Sequence, residues 1–235
     1  MGLPTNNEHS YTQEILLSGK KIGFRPWRVK EERELLYAIE GMENQNDSRK
    51  EIIKFIRKCV DNQSSFDSLS PTDQVYLLLK MRRMSKGSNI EFKYKCDECS
   101  FELISEVSVN DNIITKPFDS TVVKLSKDLS ITLKEVPFII VDQIREICTK
   151  QEEYRFEYLL HSIDSIAHNK IVYEDFTIDE LRDYIDCLTS LDWALLKKKL
   201  SESSAEIKLE KELKCLRCGN INHVRFGDLY HFLAF

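Results

Sequence analysis

The sequence predicts an α+β protein in which two cysteine pairs fasten a small β-rich unit, and two observations favour this class. Apolar residues recur at helical spacing over residues 29–87 and again beyond Pro137, whereas over residues 90–136 they alternate with polar residues as in strands. Four of the seven cysteines form two Cys-x-x-Cys pairs, Cys96 with Cys99 and Cys215 with Cys218. A chain of 235 residues suffices for one large domain or two small ones.

The composition excludes several classes of protein. Hydrophobic residues make up 42% and charged residues 31% of the chain, as in ordinary soluble domains, which excludes collagen-like and largely disordered chains. The net charge of −5 gives no general attraction to nucleic acid or anionic lipid. Neither a membrane-spanning apolar run nor a signal peptide at residues 1–10 is recognisable, so we expect a cytoplasmic protein without a membrane partner.

The N-terminal part is expected to contain a β-hairpin over residues 1–28 and a three-helix block over residues 29–88. In the hairpin, strand-like segments at 11–17 and 22–28 flank a turn that contains Gly19, a residue tolerant of positive φ. The third helix has an explicit start, because Ser70 can cap it, Pro71 suits its first position and Asp73 complements its dipole.

The rest of the chain is expected to form a discontinuous unit with an insertion. Residues 89–136 and 205–235 are predicted to form a β-rich, zinc-ribbon-like unit that carries both cysteine pairs, and residues 137–204 an inserted helical lobe. Within the lobe, Thr177 and Glu180 have the spacing of a capping box, and Ser190 opens a further helix.

The two cysteine pairs predict a structural zinc site. A gap of two residues lets both sulfurs of one tight turn reach the same ion, and Zn²⁺ binds four thiolates tetrahedrally. We therefore expect Cys96, Cys99, Cys215 and Cys218 to bind one Zn²⁺. The long loop between the pairs is acceptable because closure entropy grows only logarithmically with length. A closed four-thiolate site has no position for a reactive water, so the ion is expected to be structural.

Other interpretations of the cysteines stay open at this point. The four could be reduced and unliganded, one pair could be a redox motif, or His223 could replace one ligand. Cys59, Cys148 and Cys187 fall on or beside apolar helical faces and are expected to be inert core thiols. The sequence carries no phosphate-binding loop, metalloprotease helix or nucleophile elbow, so no catalytic residue is predicted.

Two kinds of surface have competing interpretations. Basic clusters at 197–199 and 80–86 are expected to be solvated helix ends rather than a nucleic-acid patch. Two aromatic groups are expected to close the core, with docking to a partner as the alternative; they are Phe24, Pro26 and Trp27, and the apolar tail Phe226, Leu229, Tyr230, Phe232, Leu233 and Phe235.

Three parts of the chain, taken in order, carry a family resemblance. They are residues 21–32 (KIGFRPWRVKEE) with Leu35, Leu36, Ala38 and Glu40; residues 53–59 and 77–82 with Leu69, Asp73, Ser85 and Gly87; and residues 215–219 (CLRCG) with Gly227 and Phe232. Together they resemble the baseplate hub assembly proteins of T-even-type tailed bacteriophages.

That resemblance implies a non-enzymatic protein of the phage tail pathway. Its partners would be other baseplate hub proteins, and its locations the host cytoplasm during assembly and the baseplate of the virion tail. The competing interpretation from the cysteines is a zinc-ribbon protein that binds nucleic acid or assists transcription, and a thiol oxidoreductase is held in reserve. The acidic balance weighs against nucleic acid as a partner.

Overall fold

The computed structural model describes residues 10–40, 45–110 and 113–226. These residues form eight helices and eleven strands arranged in several small sheets, which confirms the predicted α+β class. The aromatic tail beyond Phe226 lies outside the described residues.

Two compact units divide the chain. The first is built from Met1–Phe66, Asp73–Thr115 and Ile207–Phe235, and the second from Asp67–Thr72 and Lys116–Glu206, taken over the described residues. The first unit is therefore discontinuous in sequence, and both cysteine pairs belong to it.

The helices are all short, with between 5 and 16 residues each. In chain order they are α1 (Val29–Ile39), α2 (Gln45–Arg57), α3 (Gln63–Asp67), α4 (Pro71–Lys86), α5 (Phe138–Ile147), α6 (Gln151–His161), α7 (Ile178–Asp186) and α8 (Ser190–Ser203).

The described strands form four small sheets. In chain order they are β1 (Thr12–Ile15), β2 (Lys21–Phe24), β3 (Asn89–Lys95), β4 (Glu102–Ser108), β5 (Ile113–Lys116), β6 (Val122–Lys124), β7 (Leu129–Leu133), β8 (Ile163–His168), β9 (Ile171–Tyr173), β10 (Glu206–Lys214) and β11 (Ile221–Phe226). The sheets have the orders β1-β2, β3-β4, β11-β10-β5 and β6-β7-β8-β9.

The turn of the N-terminal hairpin and the start of α4 lie at the residues expected from the sequence, whereas residues 29–88 contain four described helices rather than three. Strands β1 and β2 pair around Gly19, which has a φ of +81°, and α4 begins at Pro71. Phe24 and Trp27 are buried, and the Trp27 ring packs on that of Phe55 with centroids 5.3 Å apart, so this aromatic group belongs to the core. The short helix α3 is an addition that the sequence pattern did not indicate.

The second unit has a core of its own, built between its sheet and its helices. Ile131, Leu133 and Ile163 of the sheet pack with Leu160 of α6 and Leu196 of α8, and all five are at most 2% exposed. Burial of such apolar surface is the dominant stabilising contribution to folding.

Two features of the second unit differ from the sequence expectation in detail. The segment expected to be helical also contains the hairpin of β8 and β9. Strands β6 and β7, which the sequence analysis grouped with the cysteine pairs, hydrogen-bond into the same sheet as that hairpin. The capping box at the start of α7 is confirmed, because the Glu180 N–H donates to the Thr177 hydroxyl at 3.2 Å while the Glu180 carboxylate accepts from the Thr177 N–H at 2.7 Å.

Candidate metal centre

The first cysteine pair lies in the tight turn between β3 and β4. The Ser100 N–H donates to the Cys96 carbonyl at 2.9 Å, and the Cys96 N–H donates to the Phe101 carbonyl at 3.0 Å. Ser100 has a φ of +56°, a left-handed conformation that is costly for a residue with a side chain. The turn thus brings Cys96 and Cys99 to the same side at the cost of local strain.

The second pair lies in a turn of the same form between β10 and β11. The Gly219 N–H donates to the Cys215 carbonyl at 2.9 Å, and the Cys215 N–H donates to the Asn220 carbonyl at 2.8 Å. Gly219 has a φ of +78°, so the glycine supplies the conformation that Ser100 adopts in the first turn. The N–H of Arg217 points at the Cys215 sulfur, 3.4 Å away, as in turns that support a thiolate.

The two turns face each other and bring the four sulfurs together. All four ligand atoms lie within 4.8 Å of one another, with Cys96 Sγ 3.6 Å from Cys218 Sγ and Cys99 Sγ 3.6 Å from Cys215 Sγ. Tetrahedral Zn–S bonds of about 2.3 Å place sulfurs about 3.8 Å apart, whereas a disulfide requires about 2.05 Å. The cluster therefore has the dimensions of a four-thiolate metal site, and its cysteines are free thiols.

A buried asparagine links the two turns. Asn222 of β11 is 0% exposed, and its Oδ1 accepts a hydrogen bond from the N–H of Asp97 at 3.0 Å. Its Nδ2 donates to the carbonyl of Leu213 in the neighbouring strand β10 at 3.1 Å. Asn222 was not singled out from the sequence, although its spacing of two from Val224 and Phe226 places it on the buried face of β11 and could have indicated it.

The hydrogen bonds of the turns act directly on the acidity of the thiols. The pKa of the Cys96 thiol is lowered to about 6, chiefly by the hydrogen bond from the N–H of Cys99, whose effect is larger than the opposing effect of burial. The N–H of Cys218 likewise lowers the pKa of the Cys215 thiol. For Cys218 the N–H of Asn220 lowers the pKa, but burial and the other three sulfurs raise it to about 12. A cation that binds these sulfurs as thiolates would replace their protons.

The remaining cysteines lie outside this cluster. Cys59 is fully buried, and burial raises the pKa of its thiol to about 12, which fits the expected inert core thiol. Cys148 is half-buried, but Cys187 is exposed, so its assignment to the core was wrong. Cys187 is the C-cap residue that follows α7, and its side chain is exposed. His223 pairs with Glu212 across the strands at 3.2 Å and is not one of the clustered ligands.

The two basic clusters are occupied by contacts within the protein. Arg82 is buried and donates to the carbonyls of Gly87 and Asn89 at 2.7 and 3.0 Å, which ties the end of α4 to β3. Lys199 pairs with Glu202 at 2.7 Å, and Lys197 lies over the Trp193 ring at 5.7 Å. These contacts favour the helix-end interpretation of both clusters.

A comparison with protein families decides the wider relationship. The family described as T4 bacteriophage base plate protein matches residues 7–234, nearly the whole chain. The chain belongs to this family. Searches of curated proteins and of solved structures returned no significant match.

Membership of a base plate family has consequences for the function. It supports a place in the phage tail and contacts with other base plate proteins, and it suggests a structural rather than an enzymatic part. None of the helices over residues 10–40, 45–110 and 113–226 combines the length and apolar character that crossing a bilayer requires. The family match includes both cysteine turns, so the candidate metal site lies in the part of the chain that matches the base plate family.

Proposed function

We propose that this base plate protein acts in assembly of the central baseplate hub, without enzymatic activity, by binding other hub proteins. The observation that carries the proposal is the family match over residues 7–234. The ordered resemblance of three segments to hub assembly proteins narrows the role from the base plate to its hub. A protein of this kind acts through the surfaces that it presents to its partners, and these surfaces must be held in a fixed arrangement.

We infer that a structural Zn²⁺ bound by Cys96, Cys99, Cys215 and Cys218 holds these surfaces in place. The donor set fits, since four sulfurs lie within 4.8 Å of one another and two of the thiols have lowered pKa values. When bound, Zn²⁺ supplies a cross-link between two turns that lie 116 positions apart and compensates the charge of the thiolates.

Exposed apolar side chains on and beside the two turns support a docking role for this end of the first unit. Leu216, inside the second turn, is 89% exposed, and Ile221, at the start of β11, is 55% exposed. Phe101, at the end of the first turn, is 39% exposed. Burial of such exposed apolar side chains by a partner would provide binding energy. The metal would fix the backbone that presents them.

The zinc proposal is tested by measuring metal per chain in purified protein. We expect one Zn²⁺ per chain, and its loss or strong weakening in Cys96→Ser. The matched control is Cys187→Ser, which removes an exposed thiol outside the cluster and should leave the metal content unchanged. Native protein without bound metal would refute the proposal.

The assembly role is tested in infected cells. Depletion of the protein should yield tails with defective hubs, and tagged protein should co-purify with hub proteins. Leu216→Lys should keep its zinc and its fold but lose hub partners, because an exposed side chain contributes little to stability and much to docking. Normal baseplates with intact hubs after depletion would refute the role, whatever the metal content.

A further inference from the structure

The second unit ends its sheet on an apolar edge. Strand β9 lies at one edge of the β6-β7-β8-β9 sheet, and it consists of Ile171, Val172 and Tyr173. These three side chains are 56%, 56% and 48% exposed. An unpaired apolar edge can take up another strand, and natural proteins limit this with charges, bulges, proline or a short edge strand, so the three residues of β9 leave room for only a short added strand.

The backbone of this edge has a defined hydrogen-bonding pattern. Asn169 and Lys170 have φ values of +52° and +68°, which form the two-residue turn that joins β8 to β9. His168 and Ile171 flank this turn and pair directly, so the next residue, Val172, belongs to a pair that does not exchange hydrogen bonds within the hairpin. The N–H and carbonyl of Val172 therefore point away from β8, toward the side of β9 on which no other described strand pairs.

An apolar pocket lies beside the same edge. It has a volume of about 300 Å³ and is lined by Ile166, His168, Tyr173, Phe176, Glu180 and Tyr184. Tyr173 pairs with Ile166 in the sheet register, so both side chains lie on the face of the sheet that this pocket covers. A strand added at the edge would place side chains beside Tyr173, at the rim of the pocket.

The charges around β9 favour a second copy of this chain as the strand that pairs with it. The segment 170–174 reads Lys-Ile-Val-Tyr-Glu, with a cation at one end, a carboxylate at the other and three apolar residues between them. An identical strand laid antiparallel with Val172 opposite Val172 brings each Ile171 opposite a Tyr173, and it brings each Glu174 to the end of the partner strand where Lys170 lies in the turn. Aromatic–aliphatic pairs directly across two strands are stabilising, and opposite charges near the strand ends attract each other.

We propose that this protein forms a symmetric dimer through β9, in which a second copy pairs antiparallel about Val172. Two Val172 residues exchange N–H···O hydrogen bonds at the two-fold axis, and the two sheets become continuous. Such an interface is isologous, so each charged or aromatic contact occurs twice. A three-residue strand buries less surface than a standard interface, so a weak dimer that dissociates on dilution is expected.

The test is sedimentation of the full chain over a dilution series. Wild-type protein should change from dimer to monomer on dilution. Lys170→Glu and Glu174→Lys each replace two attractive contacts by two repulsive ones and should weaken the dimer about tenfold. The double variant, Lys170→Glu with Glu174→Lys, restores opposite charges across the strands and should recover the wild-type affinity.

Controls separate this interface from a general charge effect. Lys124→Glu makes the same charge change on β6, the opposite edge of the same sheet, and should leave dimerisation unchanged. Val172→Pro should abolish the dimer, since it removes the outward N–H, and circular dichroism confirms that the chain is folded. These results are independent of metal binding, because β9 belongs to the other unit.

Three outcomes would overturn the proposal. The first is a monomer at every soluble concentration. The second is a dimer that the Lys170, Glu174 and Val172 variants leave intact, which would place the interface elsewhere. The third is a monomer whose binding to a hub protein is lost in Val172→Pro, which would assign the edge to a strand of that protein.

Discussion

The side-chain oxygen of Asn222 accepts a hydrogen bond from the N–H of Asp97 at 3.0 Å, across 125 positions of sequence. The two turns that carry the cysteines are therefore joined by protein atoms as well as by the proposed ion. Asn222 is fully buried, and its amide also donates to the Leu213 carbonyl, so its orientation is set from both sides. Residues that orient metal ligands in this way commonly affect affinity as well as stability.

Replacement of this asparagine should weaken metal binding. Asn222→Ala leaves the Asp97 N–H without its acceptor and should lower the free energy of unfolding by about 1–3 kcal/mol. Zinc affinity, measured by competition with a chromophoric chelator, should fall about 10- to 100-fold. His223→Ala changes the adjacent, exposed residue and should alter neither quantity by much. Unchanged zinc affinity in Asn222→Ala would show that the asparagine acts on stability alone.

The two left-handed positions after the cysteine pairs should respond in opposite directions. Ser100→Gly relieves the strain of a positive φ and should stabilise the protein by up to about 1 kcal/mol, less the added chain entropy of glycine. Gly219→Ser introduces the same strain and should destabilise it by about 1 kcal/mol; an added Cβ would meet no atom within 4 Å, so the cost is conformational. Chemical denaturation with zinc present measures both, and shifts of the same sign would contradict this account.

The buried thiol of Cys59 should make the protein sensitive to alkali. Its pKa is raised from 9.0 to about 12, chiefly by burial and next by the carboxylate of Glu31, so the folded state keeps the thiol neutral where the unfolded chain ionises it. This thiol does not affect the free energy of unfolding below about pH 9. Between about pH 9 and pH 12 it lowers that free energy by about 1.4 kcal/mol per pH unit. Cys59→Ala should lose less stability than the wild type over that range. Parallel curves of unfolding free energy against pH would rule out this contribution.

An ion pair in the second unit should matter for stability and not for metal. Arg182 of α7 donates through both Nη atoms to the carboxylate of Glu157 on α6, and Glu157 is only 9% exposed. Arg182→Met leaves that carboxylate buried without its partner and should cost about 2–3 kcal/mol. Arg155→Met breaks the exposed pair with Glu152 and should cost less than about 0.5 kcal/mol. Zinc content should be unchanged in both, and equal unfolding midpoints would contradict the difference.

The sequence predicted local structure where a single residue type has a strong preference. Gly19 marks the hairpin turn, Pro71 marks the start of α4 and Thr177 with Glu180 marks the start of α7, and the structure confirms each. These signals act over a few residues and depend little on the rest of the chain.

Pairing between distant segments was harder to predict. In β8 the apolar residues Ile163, Ile166 and Ala167 have a spacing that suits a helix as well as a strand, and only the turn at Asn169 and the β-branched residues after it indicated a hairpin. Strand β7 pairs with β8. Because β8 was not predicted, β7 was assigned to the wrong sheet.

The sequence predicted the four cysteines of the candidate site but not the asparagine that links their two turns. Cysteine spacing predicts which four sulfurs meet, since the chemistry of zinc requires that pattern. The role of Asn222 depends on a hydrogen bond to a residue 125 positions away, and no local pattern encodes such a contact. The assignment of Cys187 to the core failed because Leu181, Ile185 and Leu188 define the apolar face of this segment, and Cys187, two residues after Ile185, does not lie on it.

The order of the cysteines along the chain also determines when the metal site can form during translation. Cys99 leaves the ribosome 116 residues before Cys215, an interval of about 6–23 s at typical rates of translation. During that interval Lys116–Glu206, the larger part of the second unit, emerges and can form its core, while the metal site has only two of its four ligands. The four-sulfur cluster is thus among the last features to form, and a ribosome that stalls before Cys215 releases a chain that lacks it.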